Sequence, residues 1–215
     1  MKGQKKNKNI KYLMLILEFM LKKKFTKSSI LFSIGGGVVG DISALAASLY
    51  YRGLNYLHIP TTMTAIVDSA IGGKTGINHK KFINAIGNYY HPKHVFIIHE
   101  IIKNLPEREF LAGIPEIIKC GLLKDKSILD SLNKNKNKIL SRDFATIANL
   151  CVKTLKCKIF FFRKDVRENH DRLFLNFGHT FGHSIEISTD KKNKDFFRHG
   201  EAAVSYTHLT LPTKA

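Results

Sequence analysis

Residues 30–41, ILFSIGGGVVGD, decide how the rest of the chain is read. The short apolar run from Ile30 to Ile34 has the length of a buried strand and leads straight into three glycines. Gly35, Gly37 and Gly40 fit the spacing G-x-G-x-x-G. Between a strand and a helix, glycines at that spacing let the backbone turn tightly and approach a pyrophosphate, whose charge then faces the helix N-terminus. Glycine-rich turns also exist simply to turn, so the strand–loop–helix context is what gives the match its weight. The stretch that follows, ISALAASLYYRG, has small and apolar residues at helical spacing and stops at Gly53.

Upstream, residues 10–23 predict an apolar helix, followed by the polar turn FTKSS. The run LMLILEFML at 13–21 follows a basic N-terminus and superficially resembles a signal peptide. Glu18 interrupts it, and Lys22, Lys23 and Lys24 stand where small residues would mark cleavage. It is also too short to span a bilayer. The expectation is a helix packed on a core, in a cytoplasmic protein.

Downstream, a second strand, NYLHI, runs into Pro60, Thr61 and Thr62. A helical stretch, the loop IGGKTGIN and a strand HVFII at 94–98 follow. Strands alternating with helices argue for a parallel sheet of the nucleotide-binding kind. That sheet is expected to be incomplete, because too few residues precede the glycine loop to supply its other half. From about residue 101 the strand signals vanish and helical segments take over: EREFLAGIPEIIKCGLLKD, FATIANLCVKTLKCKIFFF and HTFGHSIEI. The expected fold is therefore an α/β nucleotide-binding part over residues 1–100 and an α-helical part over 101–203. A seam of that kind is where ligands often sit.

Composition sets the outer bounds. With 44% hydrophobic residues and 15 Phe in 215, the chain has a core to bury, which rules out wholesale disorder. Its 35 Lys+Arg against 17 Asp+Glu give a net charge of +18, which raises a nucleic-acid or anionic-membrane partner. The cations, however, are mostly Lys interleaved with Asn, as in NKNKNK at 133–138 and DKKNK at 190–194. Lys, Asn, Ile and Phe rising together is the mark of AT-rich codons, so compositional drift ranks ahead of nucleic-acid binding. Cys120, Cys151 and Cys157 form no CxxC pair and read as buried thiols in a reducing compartment.

Two more constellations carry chemistry. In SAIGGKTGIN, at 69–78, the GKT is not a P-loop: Asp68 stands where that motif needs a glycine. What remains is Lys74 among glycine and threonine neighbours, able to present a charge to a phosphate or a sugar hydroxyl. Farther on, His179 and His183 lie at i, i+4 on one helix face, His199 follows in HGE, and Glu116 sits far upstream in another helix. A zinc-type metal takes three protein ligands of His and carboxylate type and keeps one position open. From spacing alone both His179 and His183 are ligand candidates.

These stretches also read as a family. GGGVVGD, YYRG, IPTTMTAIVDSAIGGKTGIN, NAIGNYYHP, LPEREFLAGIPEIIKCGLL, LNFGHTFGHSIE and HGEA resemble, in this order, the 3-dehydroquinate synthases of the shikimate pathway. The resemblance runs from about residue 10 to residue 202. It implies a lyase in which bound NAD+ transiently oxidises a seven-carbon keto sugar-acid phosphate. Inorganic phosphate is then eliminated, the hydride is returned, and an intramolecular aldol step closes the carbocycle. The implied cofactors are NAD and zinc, cobalt or another divalent metal. Neither nucleic acid nor membrane is expected as a partner, and the full-length protein is expected to be a homodimer.

By position, the resemblance makes Glu116, His179 and His199 the metal ligands and gives His183 a proton-relaying contact with the substrate. It places Gly37, Val38, Val39, Gly40 and Asp41 under the NAD pyrophosphate. Thr61, Thr62, Lys74 and the segment Ile101, Ile102, Lys103 and Asn104 complete the cofactor's surroundings. Arg52, Lys74, Asn84, Lys119, Lys158, Arg172 and Asn176 surround the substrate, with Asp68 and Glu168 as the acidic positions; Lys158, Glu168 and Asp68 join His183 in the catalytic set.

The chain also departs from the pattern. Ile83 stands where a Lys usually precedes the Asn of the NAD-side loop, Cys120 replaces a Tyr, Pro115 an Ala, and Ala44 a Gly. Pro115 is tolerable if it opens a helix turn. After HGEAA, the residues VSYTHLTLPTKA break the pattern and read as a non-native tail over 204–215, expected to be unpacked. The expectation is a fragment truncated at both ends. The alternatives are another sugar-phosphate cyclase, a polyol or glycerol dehydrogenase (which usually has Asp at the Glu116 position), a basic nucleic-acid module, or an inactive fragment.

Overall fold

The structure is a computed structural model, described here for residues 7–177. His179, His183, His199, the segment HTFGHSIEI and the tail 204–215 lie outside the described residues. The chain divides into two compact units, Met1–Asn104 and Leu105–Ala215.

In the first unit, helix α1 (Ile10–Lys22) starts where the Asn9 side chain accepts from the Tyr12 N–H at 3.2 Å, an N-cap interaction. Its Leu13 and Met20 are buried, as expected of a helix packed on a core. Strand β1 (Leu31–Gly35) is followed, after Gly36 alone, by helix α2 (Gly37–Leu49). Most of GGGVVGD is thus the first turns of the helix rather than a loop before it. Strands β2 (Tyr56–Pro60) and β5 (His94–Val95) complete a parallel sheet of order β1-β2-β5. HVFII is a strand for only its first two residues.

The larger correction concerns SAIGGKTGIN. Lys74–His79 is a strand, β3, paired antiparallel with β4 (Phe82–Tyr89), and the register shifts between Ile77 and His79. The glycines disguised it: they lower strand propensity, and cross-strand pairing overrode them. Helix α2 packs on β1, β2, β3 and α1. Two apolar clusters result. Ala44, Ala47, Tyr50, Leu54 and Tyr56 gather with Met20, while Ile42, Leu45, Ala46 and Ile77 gather with Leu13. A short helix α3 (His99–Lys103) closes the unit.

The second unit is helical among its described residues. The stretch EREFLAGIPEIIKCGLLKD breaks at Ala112 and Gly113 into α4 (Glu107–Leu111) and α5 (Ile114–Leu123). Pro115 sits in the first turn of α5, where its missing N–H costs nothing. The Lys/Asn-rich stretch is helical. It forms α6 (Lys126–Lys134) and α7 (Lys136–Leu140), anchored by buried Ile128 and Ile139. A few aliphatic residues on short helices rich in Lys and Asn are too sparse a pattern to stand out in the sequence.

Helix α8 (Phe144–Lys164) buries Ile147, Leu150, Cys151, Thr154, Cys157, Lys158 and Phe161, one stripe at helical spacing. Asp143 caps it, accepting from the Thr146 N–H at 3.0 Å and hydroxyl at 2.7 Å. A 3-10 turn, Asp171–Asn176, follows. No helix among the described residues is long and apolar enough to cross a membrane. Asp143→Ala should lower the unfolding free energy by about 1 kcal/mol, the usual worth of a helix N-cap. Urea denaturation will show this as a lower midpoint at unchanged slope.

Candidate functional site

The glycine turn of the first unit is built by close approach. A Cβ on Gly36 would stand 2.9 Å from Thr62 Cγ2, and one on Gly40 would stand 3.0 Å from the imidazole Nε2 of His58. None of Gly35, Gly36, Gly37 and Gly40 has a positive φ, so glycine is needed here for space and not for backbone freedom. His58, buried in the sheet, places Nδ1 3.0 Å from the carbonyl of Ser33 and 3.2 Å from its hydroxyl. Burial pushes its pKa below the ordinary value and keeps the ring neutral.

The N-terminus of α2 has no side-chain cap and no acidic residue in its first turn. Its leading N–H groups, among them those of Gly37 and Val38, are directed out of the helix end, with the positive end of the dipole behind them. This fits the pyrophosphate of a dinucleotide. Thr62 lies against the turn, and the Thr61 N–H donates to the Gly35 carbonyl at 3.0 Å.

One turn into α2, Asp41 meets a residue that the sequence reading passed over. The ammonium of Lys8, itself buried, donates to Asp41 Oδ2 and to Asn84 Oδ1. Lys8 joins two candidate site residues 43 positions apart, on α2 and β4. Nothing marks it among the lysines of KGQKKNKN; only the fold selects it. Asn84 sits at φ 53, with its N–H donating to Asn78 Oδ1 at 2.9 Å. Burial raises the Asp41 pKa; Lys8 works against that rise, and the charge of Asp68 adds to it.

The remaining candidates of this unit are spread more widely. Arg52 is exposed in a left-handed turn (φ 64), and Lys74 is exposed at the head of β3. Ile102 turns into the core, whereas Lys103 and Asn104 are exposed. Ile83 is exposed on β4.

In the second unit, charge has been taken indoors. Glu116 on α5 is 2% exposed, Lys119 7%, Lys158 on α8 8% and Arg172 in the 3-10 turn 4%. Lys119 and Glu116 form an ion pair one turn apart. Arg172 donates from Nη1 to the Val166 carbonyl at 2.8 Å, and its guanidinium stands 5.4 Å from the Phe162 ring centre. The three elements pack on one another. Burying such groups is expensive, so an excess of buried cations points to an anionic ligand more than to stability.

The loop that delivers Arg172 is organised by Asp165, whose carboxylate accepts the N–H groups of Asn169 at 3.0 Å, His170 at 2.6 Å and Arg172 at 3.2 Å. Desolvation would raise its pKa, but these donors outweigh it and hold the carboxyl below the usual range. On the same loop Asn176 donates to Glu168 Oε1 at 2.6 Å, which joins two more candidates.

Among the described residues no group of three His, Cys, Asp or Glu is placed to hold a metal. Of the proposed ligand set only Glu116 is described. A buried carboxylate of this kind, together with imidazoles, is a donor set that suits a zinc-type ion.

A parallel sheet with a glycine turn is joined in one chain to a helical unit with buried cations, and comparison with solved structures places this fold among those of the sugar-phosphate cyclases. A 2-epi-5-epi-valiolone synthase from Streptomyces hygroscopicus subsp. jinggangensis, solved with NAD+ and Zn2+ bound, superposes with a TM-score of 0.86 at 27% identity. The match covers 94% of this chain and 56% of that one. A 2-deoxy-scyllo-inosose synthase, complexed with carbaglucose-6-phosphate, NAD+ and Co2+, gives 0.82 at 25% identity, covering 93% and 53%.

The 3-dehydroquinate synthase N-terminal model matches residues 1–112 and the 3-dehydroquinate synthase C-terminal model residues 113–211, so the chain belongs to the 3-dehydroquinate synthase family. The 3-dehydroquinate synthase of Dictyoglomus thermophilum is 43% identical over 197 residues, 92% of this chain and 55% of the relative. That of Prochlorococcus marinus (strain MIT 9515) is 43% identical over 181 residues, 83% and 50%. The chain thus spans about half the length of the curated relatives it matches.

Lys8→Met should destabilise the first unit by about 2 kcal/mol at pH 7, since it leaves the Asp41 carboxylate buried without its cation. A carboxyl whose folded pKa lies above its unfolded value costs stability as pH rises through that folded value. Removing Lys8 raises the folded pKa further, so the loss should shrink near pH 4, where Asp41 takes up a proton. Urea unfolding of both proteins at the two pH values will test this.

Proposed function

We propose that the protein to which this chain belongs converts 3-deoxy-D-arabino-heptulosonate 7-phosphate to 3-dehydroquinate and phosphate. The observation that carries the reading is the set of buried cations Lys119, Lys158 and Arg172, on three elements that pack on one another, with Lys119 paired to Glu116. A phosphorylated keto sugar-acid has two anionic groups, and desolvated cations on packed helices bind such groups far better than surface lysines do. Family membership and the NAD+ and metal in the two structural relatives support the same conclusion.

In this reading residues 1–100 hold NAD, and residues 101–203 hold the metal and the substrate. The uncapped start of α2, Gly37 to Asp41, cradles the pyrophosphate, with Thr61, Thr62, Lys74 and Ile101 to Asn104 around the rest of the cofactor. Glu116, His179 and His199 hold a divalent metal such as zinc or cobalt. When bound, NAD accepts and returns a hydride, and the metal polarises oxygen at the reacting carbon.

The chain's own residues do the remainder. Lys119, Lys158 and Arg172 fix the phosphate and carboxylate, and Arg52, Lys74, Asn84 and Asn176 complete the substrate's surroundings. Orientation by several charged groups at once turns a multistep reaction into steps within one bound molecule. His183 moves a proton at the substrate hydroxyl. Asp68 and Glu168 are the acidic groups of the site, and Asn176 holds the Glu168 carboxylate. Asp165 positions Arg172 through the loop backbone.

The test is phosphate release from the heptulosonate phosphate by the full-length protein supplied with NAD+ and zinc. Arg172→Met should lower kcat/KM about 100- to 1,000-fold, the usual effect of removing one preorganised charge contact. A chelator should abolish turnover, and zinc or cobalt should restore it. Oxidation of glycerol without phosphate release would overturn the reading, and so would turnover of a different sugar phosphate in preference to this one.

A further inference from the structure

The helices that carry the buried cations also bring two thiols together. Cys120 on α5 and Cys157 on α8 are 1% and 3% exposed, and α5 packs on α8. The Cys157 Sγ donates to the Cys120 carbonyl oxygen at 3.8 Å. A disulfide needs Cα atoms about 4.4–6.8 Å apart and side chains that face one another. A sulfur against the other cysteine's own backbone makes these two residues neighbours across the contact of α5 with α8.

The third cysteine provides a contrast. Cys151 lies six residues before Cys157 on the same helix and is equally buried, at 3%. Burial is the sole influence on its thiol, which is pushed up to about 12. The pair behaves differently. Contact with Cys120, then the charges of Lys124 and Lys119, hold the Cys157 thiol below its ordinary value against burial and the charge of Asp125, while the same contact and burial drive Cys120 upward. The neighbouring pair thus favours one thiolate beside one thiol, which isolated Cys151 does not.

We infer that Cys120 and Cys157 are an oxidation site, closing to a reversible disulfide that ties α5 to α8. The oxidant is a hydroperoxide, small enough to reach a buried pair through local opening. The Cys157 thiolate attacks one peroxide oxygen and breaks the O–O bond; with one proton taken up, water leaves and Cys157 becomes a sulfenic acid. The Cys120 sulfur then attacks the Cys157 sulfur, the S–O bond breaks, and the Cys120 proton departs with the hydroxide as a second water. Two thiols lose two electrons and two protons, and one peroxide becomes two waters. A dithiol reductant reverses the change.

The consequence lies in the neighbours. Lys119 precedes Cys120 and Lys158 follows Cys157, so the cross-link falls at the turns that carry two of the buried cations. The disulfide itself stands independently of the proposed reaction; only its effect on that reaction rests on the reading above. With the helices tied, the spacing between Lys119 and Lys158 becomes a property of the thiol redox state.

The test is made on the full chain and needs no turnover. The native protein is treated with hydrogen peroxide, unfolded with an alkylating reagent present, and mapped by mass spectrometry. The expected result is the loss of two alkylatable thiols out of three, a single cross-linked peptide pair joining Cys120 to Cys157, and an alkylated Cys151. Dithiothreitol should restore all three, and the oxidised chain should unfold at higher denaturant concentration than the reduced one. Cys151→Ser should leave the cross-link in place, and Cys157→Ser should abolish it. A cross-link through Cys151 or between chains, oxygen adducts without a cross-link, or three thiols still open to alkylation would each overturn the inference. The mapping of the unsubstituted chain decides even if a variant fails to fold.

Discussion

Helix α2 is enclosed by a parallel sheet, a β-hairpin and α1, and everything in the first unit depends on its fitting there. The fit requires small residues on several faces at once: Ala44, Ala46, Ala47 and Ser48 are all buried. Any larger side chain would push α2 off the strands, and the uncapped N-terminus would no longer face the end of β1. The glycines serve the same constraint, since Thr62 and His58 occupy the space a Cβ would need at Gly36 and Gly40. Close packing therefore asks for the same residues that the proposed pyrophosphate contact would use.

The second unit depends on a different balance. Its core of Phe110, Ile117, Ile128, Ile147 and Leu150 is an ordinary helical interior. Against it are set Glu116, Lys119, Lys158 and Arg172, which gain little for stability by being buried. They are held in place by neighbours: the ion pair on α5, the Val166 carbonyl and the Phe162 ring at Arg172, and the Asp165 carboxylate under the loop. A site kept this desolvated strengthens each contact with an anion. Two thiols at the same helix crossing make that crossing open to covalent control.

Much of this was legible before the fold was known. The strand, the glycine turn and α2 follow from local spacing, because a short apolar run and small residues at helical period leave few other arrangements. The break between an α/β and a helical half was equally clear, since strand-forming runs stop near residue 101. What escaped was structure held by distant partners. Strand β3 was hidden by Gly72, Gly73 and Gly76, and it exists because β4 pairs with it. Helices α6 and α7 were hidden among lysines and asparagines, and buried Ile128 and Ile139 anchor them to the core.

By itself, the sequence determined the family and which residue types stand at the candidate positions, because motif spacing is a property of the chain alone. It singled out Lys74, Lys119 and Lys158 by motif position but gave no sign of Lys8. Lys8 looks like every other lysine near the N-terminus, and Cys120 and Cys157 are separated by 36 intervening residues. Only tertiary structure joined Lys8 to Asp41 and Asn84, turned Lys119 and Lys158 inward, and set one thiol against another. The physical reason is common to all three: burial and pairing are made by elements that meet across the fold, and no local pattern in the chain records such a meeting.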